Sequence, residues 1–167
     1  MPVDENDFLG VSIVGAGIKA DSRAARCVEA CLQQDYPNLE IIFVDGGSDA
    51  STTAILSAYD GITVVTQRNK GPAAARNHGW RVSSGQIVCF TDSDCVPNPR
   101  WVSRLVKGYT HPSIGGVGGG YDLANAKSWL ARCIQEESRQ LHLGMPNQTN
   151  FLGSFNASYR HDVLEQA

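Results

Sequence analysis

A chain of 167 residues suits one core that buries roughly 70% of the surface the unfolded chain exposes, and it is too short for two ordinary domains. Hydrophobic residues at 42%, charged at 19% and aromatic at 8% exclude a disordered tail or a fibrous repeat. A net charge of -3, with lysines and arginines scattered along the chain, excludes the basic field that holds a nucleic-acid backbone.

In chain order, residues 1–10 (MPVDENDFLG) read as an acidic N-terminal extension with no apolar signal core. VSIV (11–14) is a buried strand. It precedes an amphipathic helix with Ala24, Cys27, Val28, Cys31 and Leu32 on one face, capped by Asp21 or Ser22. EIIFVD (40–45) is a second strand, and GGSDAS leads into a helix that ends near Tyr59. ITVVTQ (62–67) is a third strand, followed by a helix from Pro72 to about Val82, where proline at the first position loses no hydrogen bond. QIVCFTD (86–92) is a fourth strand, and a proline-bounded helix then carries Trp101, Val102, Leu105, Val106 and Tyr109. IGGVGGGYD (114–122) is a glycine-rich strand or bend. Residues 124–143 read as a longer helix with Leu130, Cys133, Ile134 and Leu141 on one stripe. Strands and helices alternate, and the strands are continuously apolar. This predicts an α/β domain over 11–167, with a mostly parallel sheet covered on both faces.

The 17 glycines imply several tight or ligand-hugging turns. The five cysteines are odd in number and form no C-x-x-C pair, which argues against a disulfide framework or a thiolate zinc site. No apolar run approaches the 18 residues needed to cross a bilayer, so the reading is a soluble, cytoplasmic domain.

Open α/β sheets bind ligands beyond the carboxyl ends of their strands, and here those ends are acidic. The first strand is expected to end at Gly15-Ala16-Gly17, the second at Asp45-Gly46-Gly47, and the fourth at Asp92-Ser93-Asp94. Arg68 follows the third strand, and Arg76 and Asn77 lie on the next helix. Paired carboxylates beyond a buried strand repel unless a cation offsets them. Hard oxygen ligands suit Mg2+ or Mn2+ held jointly with substrate phosphates.

Taken together, VSIV, YPNLEIIFVDGGSDAS, NKGPAAARNHG, GQIVCFTDSDCVPNPRWV and FLGSFNASYR resemble, in order and spacing, the motifs of the family 2 glycosyltransferases. These are inverting nucleotide-sugar enzymes of GT-A fold. The resemblance implies metal-dependent transfer from a nucleotide-diphosphate-sugar donor to a glycan, lipid-linked or other hydroxyl acceptor, of the kind used in cell-wall or polysaccharide biosynthesis. It assigns Asp45, Arg76 and Asp92 to the nucleotide, Asp94 to the metal as the second acid of a D-x-D, and Gly153, Ser154 and Asn156 to the acceptor side. The family's general base lies in a segment expected beyond Ala167. The resemblance therefore implies a donor-binding portion of a longer enzyme, with any membrane contact, at the cytoplasmic face, made by sequence not present here.

A rival reading starts from Gly15-Ala16-Gly17-Ile18-Lys19-Ala20, which fits a dinucleotide-binding G-x-G-x-x-A after a strand, with Asp45 as the ribose acid. It predicts an NAD- or FAD-binding oxidoreductase domain. It leaves NKGPAAARNHG, the D-x-D and FLGSFNASYR without a role. A third reading is a nucleotide-binding fragment with no catalysis of its own.

Overall fold

The apolar run that begins at Val11 becomes strand β1 (Val11–Gly17), which lies between β2 (Leu39–Asp45) and β4 (Ile87–Asp92) and is parallel to both. This is a computed structural model, and it describes residues 9–17, 22–47, 54, 56–123, 127–144, 149 and 152–167. Strand β3 (Thr63–Thr66) adds parallel outside β2, β6 (Asn156–Arg160) pairs antiparallel with β4, and β5 (Gly116–Gly118) pairs antiparallel with β6. The sheet order is β3-β2-β1-β4-β6-β5. Among the described residues the bounded helices are α1 (Ser22–Leu32), α2 (Pro72–Val82), α3 (Trp101–Val106), α4 (Trp129–Leu143) and α5 (His161–Glu165).

Strand alternation divides the core between two faces. Val11, Ile13, Ile41, Phe43, Ile87 and Cys89 pack with Cys27, Val28 and Cys31 of α1 and with Val102 and Leu105 of α3. On the other face, Val14, Ala16, Ile42, Val44, Val88 and Phe90 pack with Ala75 of α2. Each large side chain buried in this way contributes about 1.5–3 kcal/mol, so the two-faced parallel sheet expected from the continuous apolar runs is where the stability resides. Cys27, Cys31 and Cys89 are buried and free, small core residues as their helical and strand spacing implied.

Helix α2 approaches the sheet closely because Gly79 faces it. A Cβ there would meet Val14 Cγ1 and come within 3.1 Å of Val44 Cγ2. This close seat positions the residues on the flanks of α2.

Several expectations are corrected. The glycines expected at the end of the first strand belong to its ladder, which runs past Val14 through Gly15, Ala16 and Gly17, paired with Phe43, Val44 and Asp45. These glycines are required by close packing, not by a turn, since a Cβ at Gly15 would meet the Phe43 ring and one at Gly17 the Ser93 side chain. The tight phosphate-binding turn of the dinucleotide reading is therefore not formed at Gly15–Gly17. Strand β6 was not expected at all. The apolar stripe expected on the long helix is formed on α4 but is not covered: Leu130 and Ile134 are each 55% exposed and Cys133 is exposed as well. Leu32, at the end of α1, is also exposed. Asp21 and most of the helix expected after Gly47 lie outside the described residues.

Candidate active site at the strand-end edge

The register of the parallel strands sets the geometry of the site. Gly17 pairs with Asp45, Asp45 with Thr66, and Ala16 with Asp92, so four strands end at one level. Asp45 and Asp92 flank the end of β1, with Cα atoms about 10 Å apart across two strand spacings. By alternation, the Asp45 side chain lies on the α1 face of the sheet and that of Asp92 on the α2 face.

Asp45 is only 2% exposed. Its Oδ1 accepts the Gly47 N–H at 3.2 Å, an Asx-type turn that lets the chain leave the sheet, and Gly47 takes the left-handed φ of 93° that this turn needs. Arg76, on the flank of α2, donates from Nη2 to Asp92 Oδ1 in a short, partly buried ion pair. Its Nε–H is buried and has no hydrogen-bond partner among the described residues, which leaves a charged donor with hydrogen-bonding capacity at the edge.

The turn beyond Asp92 is pinned by backbone. Ser93 N–H donates to Ala16 O at 3.2 Å, and Cys95 N–H to Asp92 O at 3.0 Å. Asp94 projects from this turn, exposed, with no ion pair among the described residues. Burial, outweighing the opposing hydrogen bond from the Asp92 backbone, pushes the Cys95 thiol up to about 11, so it remains an uncharged thiol beside Asp94. Among the described residues, no three His, Cys, Asp or Glu side chains converge as a metal cage. The donor set at the edge is thus one exposed, hard carboxylate. That suits Mg2+ or Mn2+ shared with non-protein oxygens, and it does not suit a structural zinc.

Of the residues expected on the acceptor side, Asn156 opens β6 and pairs with Thr91, immediately before Asp92. Its side chain is already committed: Oδ1 accepts the Trp101 indole N–H at 2.7 Å, and Nδ2 donates to Gly120 O at 2.5 Å. Asn156 thereby fastens α3 and the glycine run to the end of β6. Gly153 and Ser154 form the turn before it, with Ser154 exposed. Next to that turn, Phe155 packs edge-on to Tyr121 at 5.0 Å between ring centroids. The sequence reading missed the roles of Trp101, Gly120 and Tyr121 here. The one local signal was Trp101, since a buried indole N–H needs an acceptor.

Residues 20–166 match the family model for glycosyl transferase family 2. Glycosyltransferase AglE of Haloferax volcanii is 30% identical over 149 residues, covering 84% of this chain and 49% of the relative. An Escherichia coli relative, UDP-Glc:alpha-D-GlcNAc-diphosphoundecaprenol beta-1,3-glucosyltransferase WfaP, is 31% identical over 104 residues, covering 60% of this chain and 40% of the relative. The mannosyltransferase PcManGT from Pyrobaculum calidifontis, solved with GDP-Man and Mn2+, superposes with a TM-score of 0.71 at 20% identity, covering 98% of this chain and 48% of that one. S. aureus TarS in complex with UDP-GlcNAc gives 0.70 at 17% identity, covering 95% of this chain and 47% of that one. The chain has the GT-A fold, and it spans about half the length of AglE and PcManGT.

Proposed function

The chain belongs to glycosyl transferase family 2, and on that premise we propose that it forms the donor-binding part of an enzyme that moves a sugar from a nucleotide-diphosphate sugar to an acceptor hydroxyl with inversion. The observation that carries this reading is the common strand-end edge, where Asp45, the Arg76–Asp92 pair and Asp94 gather around the end of β1. That solved neighbours of the same fold hold GDP-Man with Mn2+, or UDP-GlcNAc, supports this donor class.

In this reading the buried Asp45 carboxylate meets the nucleoside. Asp92, oriented by Arg76, meets the ribose, and the unpartnered Arg76 Nε–H faces the diphosphate. Asp94 would hold Mg2+ or Mn2+ together with diphosphate oxygens, where the ion offsets the charge that develops on the leaving group. Gly153 and Ser154 contribute to the acceptor wall, and Asn156 acts there by shaping it, since both ends of its amide are spent internally. The diphosphoundecaprenol in the name of the E. coli relative supports a lipid-linked or glycan hydroxyl as the acceptor class, and surface polysaccharide synthesis as the setting. The acid that takes the acceptor proton is assigned to no residue of this chain. The proposed site of action is the cytoplasm or the cytoplasmic face of a membrane. No helix among the described residues is long and apolar enough to cross one.

Thermal unfolding with added ligands tests this reading. UDP or GDP with Mn2+ at a hundred times its dissociation constant adds about 2.7 kcal/mol of stability and raises Tm, whereas NAD leaves Tm unchanged. Stabilisation by NAD alone contradicts the proposal.

A further inference from the structure

On the flank of α2 away from Asp92, a cleft of about 500 Å3 opens between that helix and the end of β3. It is lined by Gln67, Arg68, Lys70, Asn77, His78 and Arg81. The chain carries 17 acidic against 14 basic residues, yet among the described residues of its wall this cleft has three cationic side chains and no carboxylate. Arg68 and Lys70 are exposed and make no ion pair among the described residues. Arg81 donates one N–H to Asn77 O at 3.1 Å and lies over the Trp80 ring at 4.9 Å, which orders its guanidinium and leaves further N–H groups available.

Gln67 is half-buried in the wall. Its Oε1 meets His78 Nδ1 at 3.0 Å, and its Nε2 is buried with no hydrogen-bond partner among the described residues. An orphaned buried donor is costly, and here it stands in the wall of a cavity already lined by donors. Arginine and lysine carry no acceptor at all, so the complement to this wall is a ligand made mainly of acceptor oxygens with more than one negative charge. A carboxylate offers two oxygens. A phosphate or diphosphate offers enough to meet Arg68, Lys70 and Arg81 together. The volume lies in the range of small-molecule sites.

We propose that the cleft between α2 and the end of β3 is an anion-binding site for a phosphate or diphosphate group, separate from the edge at Asp92 and Asp94. The group can belong to a soluble molecule or to a lipid headgroup, and the recognition chemistry is the same in both cases.

The test is a titration of the 15N-labelled chain with inorganic pyrophosphate at low salt, where exposed charges are least screened. The Gln67 side-chain amide and the His78 backbone amide shift and saturate. The Arg68→Ala/Arg81→Ala double variant weakens this binding about tenfold or more. Arg68→Lys retains most of it, and Asp94→Ala leaves it unchanged, so the result does not depend on the donor-site reading. Sedimentation with phosphatidylglycerol vesicles separates the sources: binding lost in the double variant points to a headgroup, and pyrophosphate binding alone points to a soluble ligand. Shifts confined to the turn at Asp92 to Cys95, insensitivity to the double variant, or no binding to either probe overturns the proposal.

Discussion

The two halves of the sheet are built differently. From β3 to β4 the strands are parallel, and Ile13, Val14, Ile42 and Val88 are buried between helices on both faces. Beyond β4 the strands turn antiparallel and short, and α4 leaves Trp129 69% exposed and Ile134 55% exposed. The second half is held to β4 by the β6 ladder, and near the site point contacts add to it: Asn156 to Trp101 and Gly120, and Gln135 Nε2 to Tyr121 O at 2.6 Å. The difference teaches where each kind of chemistry can sit. Asp45 and Asp92 stand at the ends of buried parallel strands, fixed by the same register that makes the core. Gly153 and Ser154 sit in a turn at the start of a short antiparallel strand, next to the hydrogen bonds of Asn156.

This contrast can be broken most directly at Ile13. Ile13→Ala removes a fully buried side chain from the centre of the sheet and should cost about 2–5 kcal/mol in urea unfolding. A cost below ~1 kcal/mol would mean that the parallel half is not the stabilising one. Asn156→Ala comes next. It strips the Trp101 indole of its acceptor and should cost about 1–3 kcal/mol, with the indole N–H resonance of Trp101 moving. An unmoved resonance would contradict the hydrogen bond between Trp101 and Asn156. Smallest is Ile134→Ala on the exposed face of α4, expected within about 0.5 kcal/mol of the parent chain. A loss as large as that at Ile13 would erase the distinction between the halves.

The same contrast explains what could be read from the amino-acid order. Continuous apolar runs such as Val11–Val14 and Ile41–Val44 have two faces to bury, so a central parallel strand follows from composition alone. Pro72 marked the start of α2, the helix that carries Arg76, and Asp45 and Asp92 were placed by the strand ends they close. Strand β6 was illegible because NASYR buries only Ala157 and Ser158, too little for an apolar signal. The stripe on α4 shows amphipathicity but not what covers it. Gly15 and Gly17 read as a turn because glycine marks turns and close approaches alike, and only the Phe43 ring and Ser93 show which applies. The commitment of Asn156 depends on partners 55 and 36 residues away in the chain, beyond the reach of any local pattern. The basic cleft joins Arg68, just past β3, to Arg81, near the end of α2, and needs the seat of that helix to exist.

Calorimetric titration of the chain with UDP and GDP, with Mn2+ and then with excess EDTA, tests most directly whether the strand-end edge is a metal-assisted donor site. The account predicts binding of at least one nucleotide in Mn2+, weakened about tenfold or more both by EDTA and by Asp94→Ala, since each removes the charge that meets the diphosphate. Nucleotide affinity in Mn2+ that is the same in Asp94→Ala as in the parent chain would contradict it.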